Sequence, residues 1–371
     1  MKPIIASVVL AVLVAGGIWF ALAGRPTTPS ADNPIRLGAV LSLTGIAASY
    51  GEPARNAMQL AVEEINARGG VDGRMVTLTV EDDQTKPDKA IAAFRKLTSV
   101  DKVAAVAGGN FDFATAPLLP VAEAEGIAFL SPANMRIPGG IEPSGQSFVL
   151  MPEFDTVIRE LTSYIEAHET NKLAVVHFKS AFGTQIATTL SAVMQELGRG
   201  PIVDEAYTSI GNNDFRTTVI KLKQQGVDTV FLDMVDVDPV NFLTAARDLD
   251  YHPTVISYYG IVDSFAAPGA DRSLLEGVVV LDWESSSPRF ETLYEKRYGV
   301  KPTHTAEKSY QSIYALAQAV AATDKPSEVA AYLESHAIET PSGKIRFNSK
   351  HAVDTTPVSI KIVRNGELVA L

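Results

Sequence analysis

The sequence predicts an α/β fold with two lobes, each built on a mostly parallel sheet covered by helices on both faces. Short apolar runs alternate with helical patterns along the chain, as parallel sheets require. The clearest runs are VAAVA (103–107), IAFL (127–130), LAVVH (173–177), TVFL (229–232) and VVVL (278–281). A chain of 371 residues is also long enough for two domains.

The first helix is indicated by apolar residues at steps of three and four. They are Ala54, Ala57, Met58, Ala61, Val62 and Ile65. This spacing places them on one helix face. Gly69 and Gly70 follow the last turn, where glycine commonly ends a helix. The alternating Val76, Leu78 and Val80 then predict a strand.

The chain opens with an uncharged segment, residues 4–23, between Lys2 and Arg25. A basic start, an apolar stretch and small residues at 21–23 are typical of a cleaved secretory signal. A stretch of this length also suffices for a retained membrane anchor. Both alternatives for residues 1–23 place the body outside the cytoplasm, and the proline-rich residues 24–34 are expected to be a linker.

Composition excludes several kinds of site. The chain has no cysteine, so disulfides, thiolate metal sites and a lipidated-cysteine anchor are excluded. It has 43 acidic against 32 basic residues, a formal net charge of −11. Because nucleic-acid binding requires a basic patch, no nucleic-acid partner is expected.

Two motifs could carry other chemistry. The GGN segment at 108–110 follows a strand and could hold phosphate, but no Walker or Rossmann glycine pattern follows. The DMVDVD segment at 233–238 has carboxylates at metal-ligand spacing but lacks the glycine and distal glutamate of a calcium loop. The six histidines are scattered, with no nucleophile elbow. We therefore expect no cofactor, no metal and no catalysis.

A succession of segments near the start carries a family resemblance. LGAVLSLTG at 37–45 is followed by Tyr50-Gly51, by NARGG at 66–70, and by VDGRMVTLTVEDDQTKPDKA at 71–90. This succession resembles the opening of the type I periplasmic solute-binding proteins, in the leucine/isoleucine/valine-binding branch. The resemblance continues to the C-terminus.

The resemblance implies two Rossmann-like lobes with parallel sheets, joined by three hinge crossovers. Lobe 1 would hold residues 35–152 and 283–355, and lobe 2 residues 153–282 and 356–371. It also implies an extracytoplasmic solute-binding component of an ABC importer of the branched-chain amino-acid type. We expect a monomer that works with a permease and an ATPase of the inner membrane. The alternative is a membrane-anchored ligand sensor on the same fold, which a retained leader would favour.

Eight residues match segments that contact the ligand in that family: Tyr50, Asp112, Ala133, Asn134, Met135, Phe182, Val235 and Tyr259. The resemblance implies that Asp112 replaces a serine that donates to the ligand carboxylate. Tyr259 replaces a glutamate that binds the ligand ammonium, and Phe182 and Val235 replace tyrosines. If the alignment is displaced by one residue, Tyr258 takes the place of Tyr259.

These replacements change the expected ligand. An ionised aspartate only accepts hydrogen bonds, so Asp112 would repel a ligand carboxylate. Aromatic faces at Tyr50, Phe182 and Tyr259 suit a flat or apolar solute with an N–H donor or a cation. The expected class is therefore an amino-acid-like, amide or aromatic solute. The alternative for Asp112 is that it caps a helix beginning near Ala114 and points away from the ligand.

Fusing residues 1–34 to a reporter enzyme that is active only outside the cytoplasm should give reporter activity, because the uncharged segment directs export. The same fusion carrying Leu13→Asp should be silent, since a charge at the centre of the apolar stretch opposes membrane insertion. A silent reporter at normal expression of the unaltered fusion would contradict export.

Overall fold

The computed structural model describes residues 30–211, 213–265, 270–283, 286–303, 305–323, 325–353 and 357–371. The first lobe is built on a parallel sheet in the order β2-β1-β3-β4-β5. Its strands are β1 Ser30–Leu41, β2 Arg74–Asp82, β3 Ala105–Gly108, β4 Ala128–Ser131 and β5 Ser147–Val149.

The second lobe is built on a sheet in the order β14-β13-β10-β9-β8-β6-β7, in which β13 and β14 are antiparallel. Its strands are β6 Leu173–Phe178, β7 Val203–Tyr207, β8 Thr229–Asp233, β9 Thr254–Tyr258, β10 Val279–Asp282, β13 Ser359–Arg364 and β14 Glu367–Ala370. A separate ribbon pairs β11 Ile338–Thr340 with β12 Gly343–Ile345. Parallel sheets in two lobes confirm the predicted fold class.

Helices connect and cover the strands. Those in the described residues are α1 Ala48–Ala67, α2 Pro87–Ser99, α3 Asp112–Thr115, α4 Leu118–Glu125, α5 Phe154–Arg159, α6 Leu161–Ala167, α7 Ala181–Glu196, α8 Arg216–Gln224, α9 Asp238–Asp248, α10 Gly260–Ser264, α11 Pro288–Tyr298, α12 Ala306–Ala321 and α13 Val329–Ser335. The apolar residues predicted to share one face of α1 are all buried. Gly69 and Gly70 follow its end with positive φ, as predicted.

The central strands of each sheet are buried on both faces. In β1, Leu37 and Ala39 pack into the core beneath α1 and α12, whereas Val40 packs with Phe94 of α2 on the other face. Successive strand residues point to opposite faces, so a strand covered on both sides reads as a continuous apolar run. This is why the apolar runs of the sequence marked the strands.

The order of elements shows three passages between the lobes. The chain leaves lobe 1 after β5 and returns after β10 to form α11 and α12, which pack on α1. After β12 it enters lobe 2 again as β13. The boundaries implied near residues 152, 282 and 356 stay a prediction, and residues 354–356 lie outside the described residues.

The chain's start differs from expectation in one respect. Strand β1 begins at Ser30, inside the predicted linker 24–34. Ser30 pairs with Arg74 of β2, and the Arg74 side chain donates to the carbonyl of Asn33 at 3.2 Å. The predicted leader, residues 1–23, lies outside the described residues, among which no helix has the length and apolar character to cross a bilayer.

Lobe 1 should depend on α12 for its stability. Ile313 of α12 is fully buried in the lobe 1 core, so Ile313→Ala should lower the free energy of unfolding by about 2–5 kcal/mol. Ile220→Ala, at a residue of α8 that is 42 % exposed, should change it by less than about 0.5 kcal/mol. Urea denaturation measures both variants. Equal, small effects would mean that α12 does not complete the core.

Candidate functional site

A cleft lies between the lobes, at the carboxyl ends of their parallel strands. Its empty space, counting the open mouth, is about 820 Å³. Seven of the eight predicted ligand positions lie in its wall: Tyr50, Asp112, Ala133, Asn134, Met135, Phe182 and Val235. Open α/β sheets bind ligands at this edge, because the loops that leave the strands converge there. The contact of these residues with a ligand stays a prediction.

The eighth predicted position, Tyr259, lies outside the cleft wall, whereas Tyr258, the last residue of β9, lies in it. Tyr259 follows the strand with helical backbone angles and packs against the apolar cluster that includes Ile261 and Phe265. The contact of either tyrosine with a ligand stays a prediction.

Further wall residues of lobe 2 come from strand ends. Phe178, Asp233 and Tyr258 are the last residues of β6, β8 and β9, and Trp283 follows β10 directly. Of these, the sequence had suggested Tyr258 as an alternative and had missed the other three as wall residues. All four stand at one sheet edge, since the strands are parallel. For two of them the signal was present in the sequence, since Phe178 and Asp233 directly follow the apolar runs LAVVH (173–177) and TVFL (229–232). The missed wall residues elsewhere are Asn110, Phe111, Ser180 and Thr305.

The Asp112 carboxylate bridges the two lobes. Asp112 is the first residue of α3 and is buried, with its Oδ1 accepting from the Phe113 N–H at 2.8 Å. Its Oδ2 accepts from the Phe182 N–H of lobe 2 at 3.0 Å. Phe182 lies in the first turn of α7, where N–H groups lack helical partners and carry the positive end of the helix dipole. Asp112 thus lies both at a helix start and in the cleft wall, and its contact with a ligand stays a prediction.

Asp233 is a second buried carboxylate in the wall. Its Oδ1 accepts from the Tyr258 hydroxyl at 3.1 Å. Burial raises the pKa of Asp233 from 3.8 to about 7, and the negative charge of Asp112 adds to this rise. The Tyr258 hydrogen bond and the nearby His177 ring act in the opposite direction. Tyr207, half-buried on β7, also lies within electrostatic range of Asp233.

His177 stands behind the wall on β6. Its Nδ1 lies 2.8 Å from the carbonyl oxygen of Phe178, and its Nε2 lies 2.9 Å from a carboxylate oxygen of Asp204. Both partners are hydrogen-bond acceptors. Its two nitrogens are thereby directed to protein groups.

The glycine motif at 108–110 serves close packing. A Cβ on Gly108 would lie 2.0 Å from the Val40 carbonyl oxygen, and a Cβ on Gly109 would lie 2.2 Å from Thr115 Oγ1. The Asn134 amide then ties the loop in place by donating to the Gly109 carbonyl at 3.2 Å and to Thr115 Oγ1 at 3.0 Å. Both glycines also have positive φ, which favours glycine.

The acidic segment at 233–238 divides into different roles. Asp238 accepts from the Gly211 N–H at 3.0 Å and from the Asn213 amide at 3.0 Å, which holds a neighbouring loop. Asp236 adopts positive φ in the turn. Within the described ranges, no group of three histidine, cysteine, aspartate or glutamate side chains could hold a metal ion.

Comparison of the sequence with protein families agrees with this fold and this cleft. The sequence profile of the family described as periplasmic binding protein matches residues 34–366. The chain is a type I periplasmic binding protein of the leucine/isoleucine/valine-binding family. Fold and relatives are those of solute-binding proteins and not of enzymes.

Particular relatives of this periplasmic binding protein are similar along most of its length. An amino acid binding protein of Pseudomonas aeruginosa is 27% identical over 83% of this chain and 84% of its own. The substrate-binding protein LivJ from Streptococcus pneumoniae, in complex with isoleucine, has a TM-score of 0.79 at 20% identity, covering 91% of this chain and 98% of its own. A solute-binding protein from Rhodopseudomonas palustris, in complex with 3,4-dihydroxy benzoic acid, has a TM-score of 0.79 at 21% identity, with coverages of 91% and 96%.

The raised pKa of Asp233 predicts a pH-dependent effect of Asp233→Asn on stability. The Asp233 carboxyl holds its proton more tightly in the folded protein than in the unfolded chain. Between pH 3.8 and about 7 this group is therefore more often protonated in the folded state. The contribution of Asp233 to the free energy of unfolding therefore falls as pH rises, and is lost above about pH 7. Urea denaturation at several pH values measures the free energy of unfolding of both proteins. The value for wild type minus the value for Asp233→Asn should decrease from about pH 5 to about pH 8. A constant difference would contradict the raised pKa.

Proposed function

We propose that this periplasmic binding protein is the extracytoplasmic solute-binding component of an ABC importer of the branched-chain amino-acid type. It closes its two lobes on one small solute. The observation that carries the proposal is a cleft whose wall comes from both lobes and is bridged by the Asp112–Phe182 hydrogen bond. A solute that touches both walls favours the closed arrangement over an open one.

The lining of the cleft supports a small solute. The wall is mostly apolar and aromatic with a few polar groups, as in sites for small molecules. The named relatives are an amino acid binding protein, one held with isoleucine and one held with an aromatic acid. We propose an amino-acid-like, amide or aromatic solute for this chain.

Transport requires partners that this chain does not supply. A permease and an ATPase of the inner membrane would receive the solute, and the protein would deliver it as a monomer. Export by residues 1–23 would bring it to the outer side of that membrane. No observation on the described residues or relatives favours the alternative of a membrane-anchored sensor.

Trp283 offers a direct test, because the sequence has only one other tryptophan, Trp19. In a Trp19→Phe variant, fluorescence arises from the cleft wall alone. A panel of amino acids, amides, aromatic acids and amines should contain a solute that changes this emission at one-to-one stoichiometry. The same solute at 100 times Kd should stabilise the fold by about 2.7 kcal/mol, measured by thermal unfolding.

Two controls accompany this measurement. Trp283→Phe in the same background should abolish the signal, and Ile220→Ala, far from the wall, should leave it unchanged. A solute that stabilises the protein without changing Trp283 emission would place binding elsewhere. A panel with no binder would count against a solute-binding role.

A further inference from the structure

We propose that the solute of this cleft is an organic cation without a carboxylate, held between Asp112 and Asp233 and surrounded by aromatic rings. The inference rests on the proposed function, since it names the solute class of the same cleft. It narrows the expectation from sequence, which was an amino-acid-like, amide or aromatic solute.

Charge is the first argument. Asp112 and Asp233 lie in the wall, and among the described lining residues there is no lysine, arginine or histidine. His177 stands behind β6, with its ring nitrogens directed to Phe178 and Asp204. A carboxylate in the cleft would meet charges of its own sign, whereas an ammonium would form charge-assisted hydrogen bonds.

The second argument concerns the positive end of helix α7. A helix N-terminus is where an anionic group of a ligand would bind. Here the Ser180 hydroxyl accepts from the Gly183 N–H at 3.1 Å, and Asp112 accepts from the Phe182 N–H at 3.0 Å. The protein's own oxygens therefore occupy these N–H groups. A ligand carboxylate would have to displace Asp112 from this helix.

Both carboxylates keep acceptor capacity for a ligand. Each ionised carboxylate has about four lone-pair sites. Asp112 accepts one hydrogen bond on each oxygen, and Asp233 accepts from Tyr258 on Oδ1. The N–H groups of an organic cation can donate to the remaining lone pairs. Their positive charge strengthens hydrogen bonds to a carboxylate.

Aromatic rings form much of the remaining wall. They belong to Tyr50, Phe111, Phe178, Phe182, Tyr258 and Trp283. Neighbouring rings contact one another, with centroids 5.6 Å apart for Tyr50 and Phe111 and 5.9 Å apart for Tyr258 and Trp283. Aromatic rings attract cations through their quadrupole, most strongly where water is excluded. Aromatic groups and carboxylates together favour a cation over a neutral solute.

Binding of such a cation should depend on pH through Asp233. Burial raises the pKa of this carboxyl to about 7, and a cation beside it would lower the pKa again. The groups facing it are Tyr258 from β9, His177 from β6, Tyr207 from β7 and Asp112 from α3. Affinity for a cation of fixed charge should therefore rise between about pH 6 and about pH 8.

Isothermal calorimetry on the full chain tests the inference with probes that share a carbon skeleton. Isoamylamine, isoamyl alcohol, isocaproate and leucine have the same branched chain and differ in charge. Phenethylamine, hydrocinnamate and phenylalanine form an aromatic series. Choline, which has a fixed charge and a neutral hydroxyl, is compared with its uncharged carbon analogue and serves for the pH series.

We expect a cationic member of at least one series to bind about tenfold or more tightly than its neutral, anionic and zwitterionic counterparts. Asp112→Asn and Asp233→Asn should each weaken cation binding about tenfold or more, since each removes a charged acceptor of nearly unchanged shape. Neither should alter the affinity of the neutral probe. Asp236→Asn, in the same loop but outside the wall, is the matched control and should change nothing.

Other outcomes separate the two proposals. If leucine, isocaproate or their aromatic counterparts bind more tightly than the amines, the cation inference is wrong and the solute-binding role stands. Cation binding that survives both aspartate substitutions would also overturn it. If no probe here or in the wider panel binds, the solute-binding role fails together with the inference.

Discussion

Parallel strands all end at the same edge of their sheet, and the site of this protein depends on that constraint. The five strands of lobe 1 and strands β6 to β10 of lobe 2 deliver their last residues to two edges that face each other. Asp233 and Tyr258 reach the cleft as strand ends, and Asp112 and Asn134 reach it from loops and a helix start. The interior of each sheet consists of apolar packing. The residues of the cleft wall can therefore differ between proteins while the fold stays the same.

This separation explains why similar frames hold solutes of different charge. LivJ was solved with isoleucine and the Rhodopseudomonas palustris protein with an aromatic acid, at TM-scores of 0.79 each. In this chain the wall carries Asp112 and Asp233; burial raises the pKa of Asp233, and the nearby charge of Asp112 adds to the rise. Two buried carboxylates are tolerated because hydrogen bonds from Phe182 and Tyr258 stabilise them.

The sequence was sufficient for the fold class, for the buried face of α1 and for seven of the residues in the cleft wall, because periodicity and short motifs depend on local residue order. It did not decide between Tyr258 and Tyr259, since alignment in a loop does not fix which of two neighbouring residues enters the wall. Asp233 was missed because its segment was judged by carboxylate spacing and not by its place at the end of β8. The Asp112–Phe182 bond joins residues 70 positions apart, which only the folded arrangement brings together.

The late position of α12 in the sequence affects how lobe 1 folds during synthesis or export. The helix covers the core of lobe 1, yet it is encoded after the whole block of strands β6 to β10 that builds lobe 2. During synthesis or passage through a membrane, the first five strands would emerge well before the helix that completes their core. Lobe 1 would then expose apolar surface until the last third of the chain arrives. Premature termination there would leave both lobes incomplete, since β13 also comes late.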